Sequence, residues 1–211
     1  MRWSVVVPVK RLPVAKTRLS DPRRAPADHA ALALALALDT VRAAVACPAV
    51  GRVVVVTDDA DASAAVRDLG ATVVTDEPDA GLNPALVHGA TSAATLAPAD
   101  GVAVLSADLP ALRPTELAAA LRAAAAHDRA FVPDAGGTGT TLLAAAPGRP
   151  LDPRYGTGSR AAHRSSGAAE LTGDWPSLRR DVDTPADLAA AATLGLGPAT
   201  HTWVRDNGMV A

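Results

Sequence analysis

Residues 8 to 20 read PVKRLPVAKTRLS and hold both lysines of the chain, Lys10 and Lys16, together with Arg11 and Arg18. Every other basic residue of the protein is an arginine. Four cations in one short segment suit a polyphosphate, with lysine acting as a compact point charge and arginine as a planar fork. A solvated basic loop would carry the same charges. The segment lacks the G-x-x-x-x-G-K-[ST] pattern of a Walker loop and the G-x-G-x-x-G of a dinucleotide fingerprint, so neither of those phosphate cradles is present.

Acidic candidates lie further along. In LSADLPAL (105–112), Asp108 falls where an apolar run ends and Leu-Pro turns the chain. A carboxylate there suits Mg²⁺, which takes oxygen ligands and shares its remaining positions with phosphates and water. A turn aspartate capping the next amides would look the same. In LRRDVDTPADL (178–188), an extended backbone points Asp181 and Asp183 to one side and Val182 to the other. Thr184, Pro185 and Asp187 then read as a helix start. A pair of carboxylates on one face makes a metal role stronger than either alone.

Small residues supply a third kind of chemistry. PDAGGTGTT (133–141) offers Gly136, Gly137 and Gly139 for close backbone approach, with Thr138 and Thr140 as hydroxyl donors. DPRYGTGS (152–159) repeats this with Gly156, Gly158 and Ser159 ahead of a helical segment. A single such loop is usually a plain turn. Two of them plus a basic loop favour phosphate binding. In DEPDAGLNPALVHGA (76–90), Asn83 reads as a helix N-cap with Pro84 at the first helical position, and the backbone of Gly81 and Leu82 is open to a base or ribose.

Other chemistries find no support. His29, His88, His127, His163 and His201 have no paired zinc spacing, and Cys47 is a lone cysteine. There is no G-x-S-x-G elbow, and His163 is the one candidate base for Ser159. His163, between two Gly-rich segments, could itself contact a phosphate or carboxylate.

The elements that must position these residues follow from periodicity. Apolar runs at 3–9, 52–57, 71–75, 101–108, 130–134 and 140–146 read as strands. Several are apolar throughout, as in parallel strands covered on both faces. Helices are expected near 26–46, 60–69, 84–96, 114–127 and 185–193. ALALALALD (31–39) alternates like a strand but is built of strong helix formers, and reads as helix. The alternation predicts a single three-layer α/β/α domain with a mainly parallel sheet over residues 1–201, and a loose tail over 202–211. Ligands of such sheets sit beyond the carboxyl ends of the strands, where the candidate residues fall.

The chain has 211 residues and a formal net charge of −2, which gives no field for nucleic acid or an anionic membrane. Its few aromatics, Trp3, Phe131, Tyr155, Trp175 and Trp203, offer no stacking platform for single strands. No apolar stretch is long enough to span a membrane or to form a signal peptide, and the lone cysteine fits a reducing compartment. The expectation is a cytoplasmic protein.

With the basic loop, DLP, GTGT, RYG-x-x-S and DVDTPADL in this order, the chain resembles the guanylyltransferases of coenzyme F(420) biosynthesis, the phosphoenolpyruvate and 2-phospholactate guanylyltransferase family. The resemblance runs from about Val5 to Thr200. It implies a nucleotide-diphospho-sugar transferase (glycosyltransferase-A-like) fold and a Mg²⁺-dependent reaction of GTP with phosphoenolpyruvate that releases pyrophosphate. The product would be handed to the next transferase of the pathway. By this resemblance Asp108 and Asp181 hold magnesium, with Asp183 as the fallback ligand. Lys16 joins them in catalysis. Thr140, Gly156 and Ser159 bind phosphoenolpyruvate. Lys10, Lys16, Arg18, Gly81, Leu82 and Asn83 handle GTP. GTGTT places Thr141 next to Thr140, which leaves the contacting hydroxyl open by one residue, and SADLP has Ala107 where the family more often has glycine. Transfer to 2-phospholactate or 3-phosphoglycerate, or a non-catalytic GTP sensor on the same fold, are the competing readings.

Overall fold

The computed structural model describes residues 1–9, 26–77 and 79–208, so the basic loop with Lys10, Arg11, Lys16 and Arg18 lies outside the described residues. Seven strands form one sheet: β1 (Trp3–Pro8), β2 (Val50–Val56), β3 (Thr72–Val74), β4 (Gly101–Leu105), β5 (Arg129–Pro133), β6 (Thr140–Ala145) and β7 (Ala169–Glu170). Their order is β3-β2-β1-β4-β6-β5-β7. All are parallel except β6, which runs antiparallel to both β4 and β5. The Gly-rich turn 134–139 is too short for a crossover, so β5 and β6 form a hairpin. That reversal brings the start of β6, Thr140, to the edge where the parallel strands end.

The valine runs explain the layers. Along β1 and β2, Val5, Val7, Val53 and Val55 pack into one core, while Val6, Val54 and Val56 pack into the other. Alternate residues face opposite sides of a sheet, so a continuous valine run signals cover on both. The first core includes Ala37 and Val41 of α1 (Pro26–Val45), Ala62 and Val66 of α2 (Ala60–Asp68), and Leu117 and Leu121 of α4 (Pro114–Ala124). The second includes Ala85, Leu86 and Ala93 of α3 (Leu82–Leu96). Helix α1 settles the alternating ALALALALD in favour of intrinsic propensity: Leu32, Ala33, Leu36 and Ala37 are buried at helical spacing.

Helix α3 approaches the sheet closely at Gly89. A Cβ there would stand 2.5 Å from Val56 Cγ2 and 2.7 Å from Val6 Cγ1. Gly89→Ala is therefore expected to cost about 1–3 kcal/mol by overpacking, against a helix-propensity gain of up to about 1 kcal/mol. A thermal melt should show a lower Tm; an unchanged or higher Tm would mean that α3 can shift outward at little cost.

The C-terminal segment departs from expectation. Beyond α5 (Ser159–Ser165), α6 (Pro176–Arg179) and α7 (Pro185–Leu194), residues Pro198–Asp206 form α8, where a loose tail from 202 was expected. Val204 is buried against Leu32 and Leu36 of α1. The Asp39 carboxylate of α1 accepts from the amides of Ala199 (3.0 Å) and Thr200 (2.7 Å), anchoring the first turn of α8. Gly197 lies so close that a Cβ would stand 2.4 Å from Asp39 Cγ. Only residues 207 and 208 follow the helix among those described. No helix among the described residues is long and apolar enough to cross a membrane.

Candidate active site

From β1 the sheet winds outward in opposite directions, to β2 on one side and β4 on the other, which makes the carboxyl ends of β1 and β4 the topological switch point. The basic segment begins just after β1. Asp108 follows β4, in a turn held from two sides. The Thr40 hydroxyl of α1 donates to the Ala107 carbonyl (3.1 Å) and accepts from the Leu109 amide (2.9 Å), so it grips the peptide groups on both sides of Asp108. The Asp108 carbonyl in turn accepts from the Val182 amide at 3.1 Å. This one bond brings the DLP and DVDTP segments together although they lie far apart in sequence.

Val182 is fully buried, and Asp181 and Asp183 flank it. Burial, reinforced by the charges of Asp108, Asp134 and Asp183, pushes the Asp181 carboxyl up to about 7. Neighbouring like charges with hard oxygen donors are what a divalent cation relieves, so the donor chemistry of these carboxylates suits magnesium. Asp134 is the member that sequence reading missed. It stands directly after β5, and the rule that selected Asp108 after β4 would have selected it. Its Oδ1 accepts from the Thr138 amide (2.9 Å), and a Cβ on Gly139 would meet its Oδ2 at 2.6 Å. Gly139 therefore serves close packing of this carboxylate.

The three expected metal ligands do not form one tight group. Among the described residues, the acidic side chains whose ligand atoms lie within 4.8 Å of one another are Asp58, Asp76 and Asp79, beyond the ends of β2 and β3. Asp183 is exposed, whereas Asp181 is half-buried. After Asp183, Thr184 and Asp187 form a reciprocal capping box at the start of α7, as the TPAD spacing predicts.

The expected anion-binding residues come together at the same sheet edge. Thr140 is paired with Pro133 in the β5–β6 ladder and is buried. Its Oγ1 lies 2.9 Å from Nδ1 of His163, a fully buried residue of α5. The Nε2 of the same ring accepts from the Arg154 amide at 2.9 Å, which ties the 151–158 loop to Thr140. Arg129 braces that loop from below through the carbonyls of Leu151 (3.0 Å) and Asp152 (3.0 Å). Gly156 and Gly158, with φ of 138° and 74°, turn the loop into α5, whose first residue, Ser159, is buried. Gly156 and Gly158 are positions where a side chain would be strained.

One expectation needs correction, and one open reading is closed. Asn83 does not cap α3: the helix begins two residues earlier than expected, at Leu82 behind Gly81, with no side-chain cap. The Asn83 amide instead donates to the Tyr155 carbonyl (3.0 Å) and accepts from the Tyr155 amide (2.8 Å), joining the GLNPAL segment to the 151–158 loop. His163, for its part, is neither a base for Ser159 nor an anion contact, because both ring nitrogens are bonded within the protein. Lys10, Lys16 and Arg18 fall outside the described residues.

Comparison with known proteins bears on the fold and the family. Residues 33–169 match the model of the MobA-like NTP transferase domain. Over 202 residues the chain is 61% identical to a protein of Salinispora arenicola named phosphoenolpyruvate guanylyltransferase, covering 94% of this chain and 91% of that one. It is 57% identical to the Streptomyces coelicolor protein of the same name, covering 95% and 94%. Among solved structures, a chain from Desulfovibrio desulfuricans G20 described as a nucleotide-diphospho-sugar transferase superposes with a TM-score of 0.69 at 19% identity, covering 99% of this chain and 96% of that chain. A nucleotidyl transferase from Methanothermobacter thermautotroptrophicus superposes with a TM-score of 0.62 at 18% identity, covering 92% and 97%. The fold is that of the nucleotide-diphospho-sugar transferases, and the chain is a nucleotidyltransferase that belongs to the phosphoenolpyruvate guanylyltransferase family within the MobA-like NTP transferases.

Proposed function

We propose that the protein transfers the guanylyl group of GTP to phosphoenolpyruvate in a Mg²⁺-dependent reaction, giving enolpyruvyl-diphospho-guanosine and pyrophosphate, as a cytoplasmic step of coenzyme F(420) biosynthesis. A phosphate oxygen of the acid attacks the α-phosphorus of GTP; the new P–O bond forms as the bond to the β-phosphate oxygen breaks, and pyrophosphate leaves. The observation that carries the reading is the Val182–Asp108 hydrogen bond, which joins two carboxylate-bearing segments at the carboxyl edge of the sheet.

The attacking oxygen is ionised at neutral pH, so no general base is required. The obstacle is repulsion between two polyanions, and catalysis is mostly positioning and charge neutralisation. Asp108 and Asp181, with Asp183 beside them, would hold Mg²⁺, which when bound supplies positive charge to attacking and leaving oxygens. Lys10, Lys16 and Arg18 serve the GTP phosphates, and the Gly81–Asn83 backbone meets the guanosine. Thr140, Gly156 and Ser159 hold the acid. The full involvement of His163 within the protein is consistent with a reaction that needs no histidine base.

The purified protein incubated with GTP and Mg²⁺ should release pyrophosphate with phosphoenolpyruvate as acceptor. 2-Phospholactate differs from it only in the saturation of the C2–C3 bond, and 3-phosphoglycerate carries its phosphate one carbon further from the carboxylate, so both belong in the same assay. Faster release with either would reassign the acceptor, and none with all three would end the enzymatic reading.

A further inference from the structure

His163 is the fully buried polar residue around which the expected acid subsite is built, and its two hydrogen bonds determine its chemistry. The Arg154 backbone amide can only donate, so Nε2, 2.9 Å away, must be the unprotonated acceptor nitrogen. The neutral ring then carries its proton on Nδ1 and donates it to Thr140 Oγ1, also at 2.9 Å. The Thr140 hydroxyl accepts that bond on one lone pair, which leaves its own proton free to donate, and among the described residues that proton has no acceptor. The ring is fixed in turn by Tyr155, edge-on at 5.1 Å between centroids, and by Phe131 at 5.8 Å.

We propose that His163 is a positioning residue for the phosphorylated-acid subsite: it presents the Thr140 hydroxyl proton to a substrate anion and holds the 154–156 backbone against Thr140. The inference rests on the reading of Thr140 and Gly156 as acid-binding residues. A second tie, from Asn83 to the Tyr155 backbone, links the same loop to the start of α3, so one loop joins the residues read as acid-binding to those read as nucleotide-binding.

Neutrality is what makes the device work. A second proton on Nε2 would face the Arg154 N–H and break the contact. Burial, with Arg129 and then Arg154 adding to it and Asp152 opposing, lowers the ring to about 4. The ring therefore keeps one tautomer across the working range of a neutral-pH enzyme.

Three measurements test this. First, ¹⁵N spectra of the histidine-labelled protein should show a His163 ring protonated at Nδ1 alone at pH 7; a ring protonated at Nε2 would overturn the proposal. Second, His163→Phe, which keeps the ring but neither nitrogen, should raise KM for the acid by about tenfold while KM for GTP stays within about twofold. His163→Gln, with one donor and one acceptor, should recover part of that loss, and serves alone if the Phe variant does not fold. Third, in a Thr140→Val background, removing His163 should raise the acid KM by much less than it does in the wild type. An unchanged acid KM in a folded His163→Phe protein, equal losses for acid and GTP, or full additivity with Thr140→Val would each overturn the proposal. Absence of pyrophosphate release in the wild type would instead overturn the functional reading, leaving the tautomer measurement to stand by itself.

Discussion

Asp108→Asn and Asp181→Asn should each lower kcat by about a thousandfold or more, with circular dichroism and solubility unchanged. The magnitude is that of removing one preorganised charge-stabilising group from a phosphoryl-type transfer. Asparagine keeps the shape and the backbone hydrogen bond between the Val182 amide and the Asp108 carbonyl, so the loss would report charge and not folding. Asp183→Asn, at the exposed end of the same segment, should cost far less. Full activity in Asp108→Asn or Asp181→Asn would remove that residue from the reaction, and a collapse with Asp183→Asn would exchange the roles of Asp181 and Asp183.

The same substitution should have an opposite effect on stability. Asp181 has its folded-state pKa raised from the ordinary carboxylate range to about 7, by burial and by Asp108, Asp134 and Asp183. Between those values the native state binds a proton that the unfolded state has released, so this group's contribution becomes less favourable as pH rises toward 7. Asp181→Asn removes that cost, and the variant should melt above the wild type by several degrees at pH 8 without divalent cation, at about 2–4 °C per kcal/mol for a chain of this size. The gap should narrow toward pH 5. Added Mg²⁺ should raise the wild-type Tm and leave the variant nearly unmoved. A variant inactive and less stable at pH 8 would show that the carboxylate serves structure, while inactive and more stable is the signature of charge held for function.

How much of this was legible follows from the range of the interactions involved. Local signals served well: the valine runs located the strands, Thr184-Pro185-Ala186-Asp187 located the capping box, and strand ends located Asp108. Helix α8 was missed because Thr, His, Trp, Val and Asp carry little helix propensity, and its stability comes from a tertiary anchor, Asp39, about 160 residues away. Gly197-Pro198 was a start signal that could have been read. Asn83 was assigned to the nearest helix end because capping is the local use of asparagine. Its actual partner, Tyr155, is 72 residues distant, and no local rule reaches that far. His163 gave no spacing signal, since its partners are a hydroxyl at the start of β6 and the backbone amide of Arg154, neither of which has a side-chain spacing rule.

Thr40→Val tests whether the Asp108 turn must be held as well as charged. The hydroxyl of Thr40 is fully buried and offers its proton to the Ala107 and Leu36 carbonyls while accepting from the Leu109 amide. Valine has nearly the same shape, so the packing of α1 survives, but the Leu109 N–H is left buried without its acceptor. That should cost about 1–3 kcal/mol of stability. It should also free the peptide groups on both sides of Asp108 to shift, and a displacement of about 1 Å at a reacting centre is worth about a hundredfold in rate. The expected pattern is a folded protein with a lower Tm, kcat down by about 10- to 100-fold, and a KM for the acid close to wild type, because Thr140 and the 151–158 loop are anchored independently through His163 and Arg129. Thr40→Ser, which keeps the hydroxyl and loses the methyl, should recover most of kcat. If Thr40→Val loses stability but keeps full kcat, the turn is positioned by the Val182 bond alone and α1 has no part in placing Asp108.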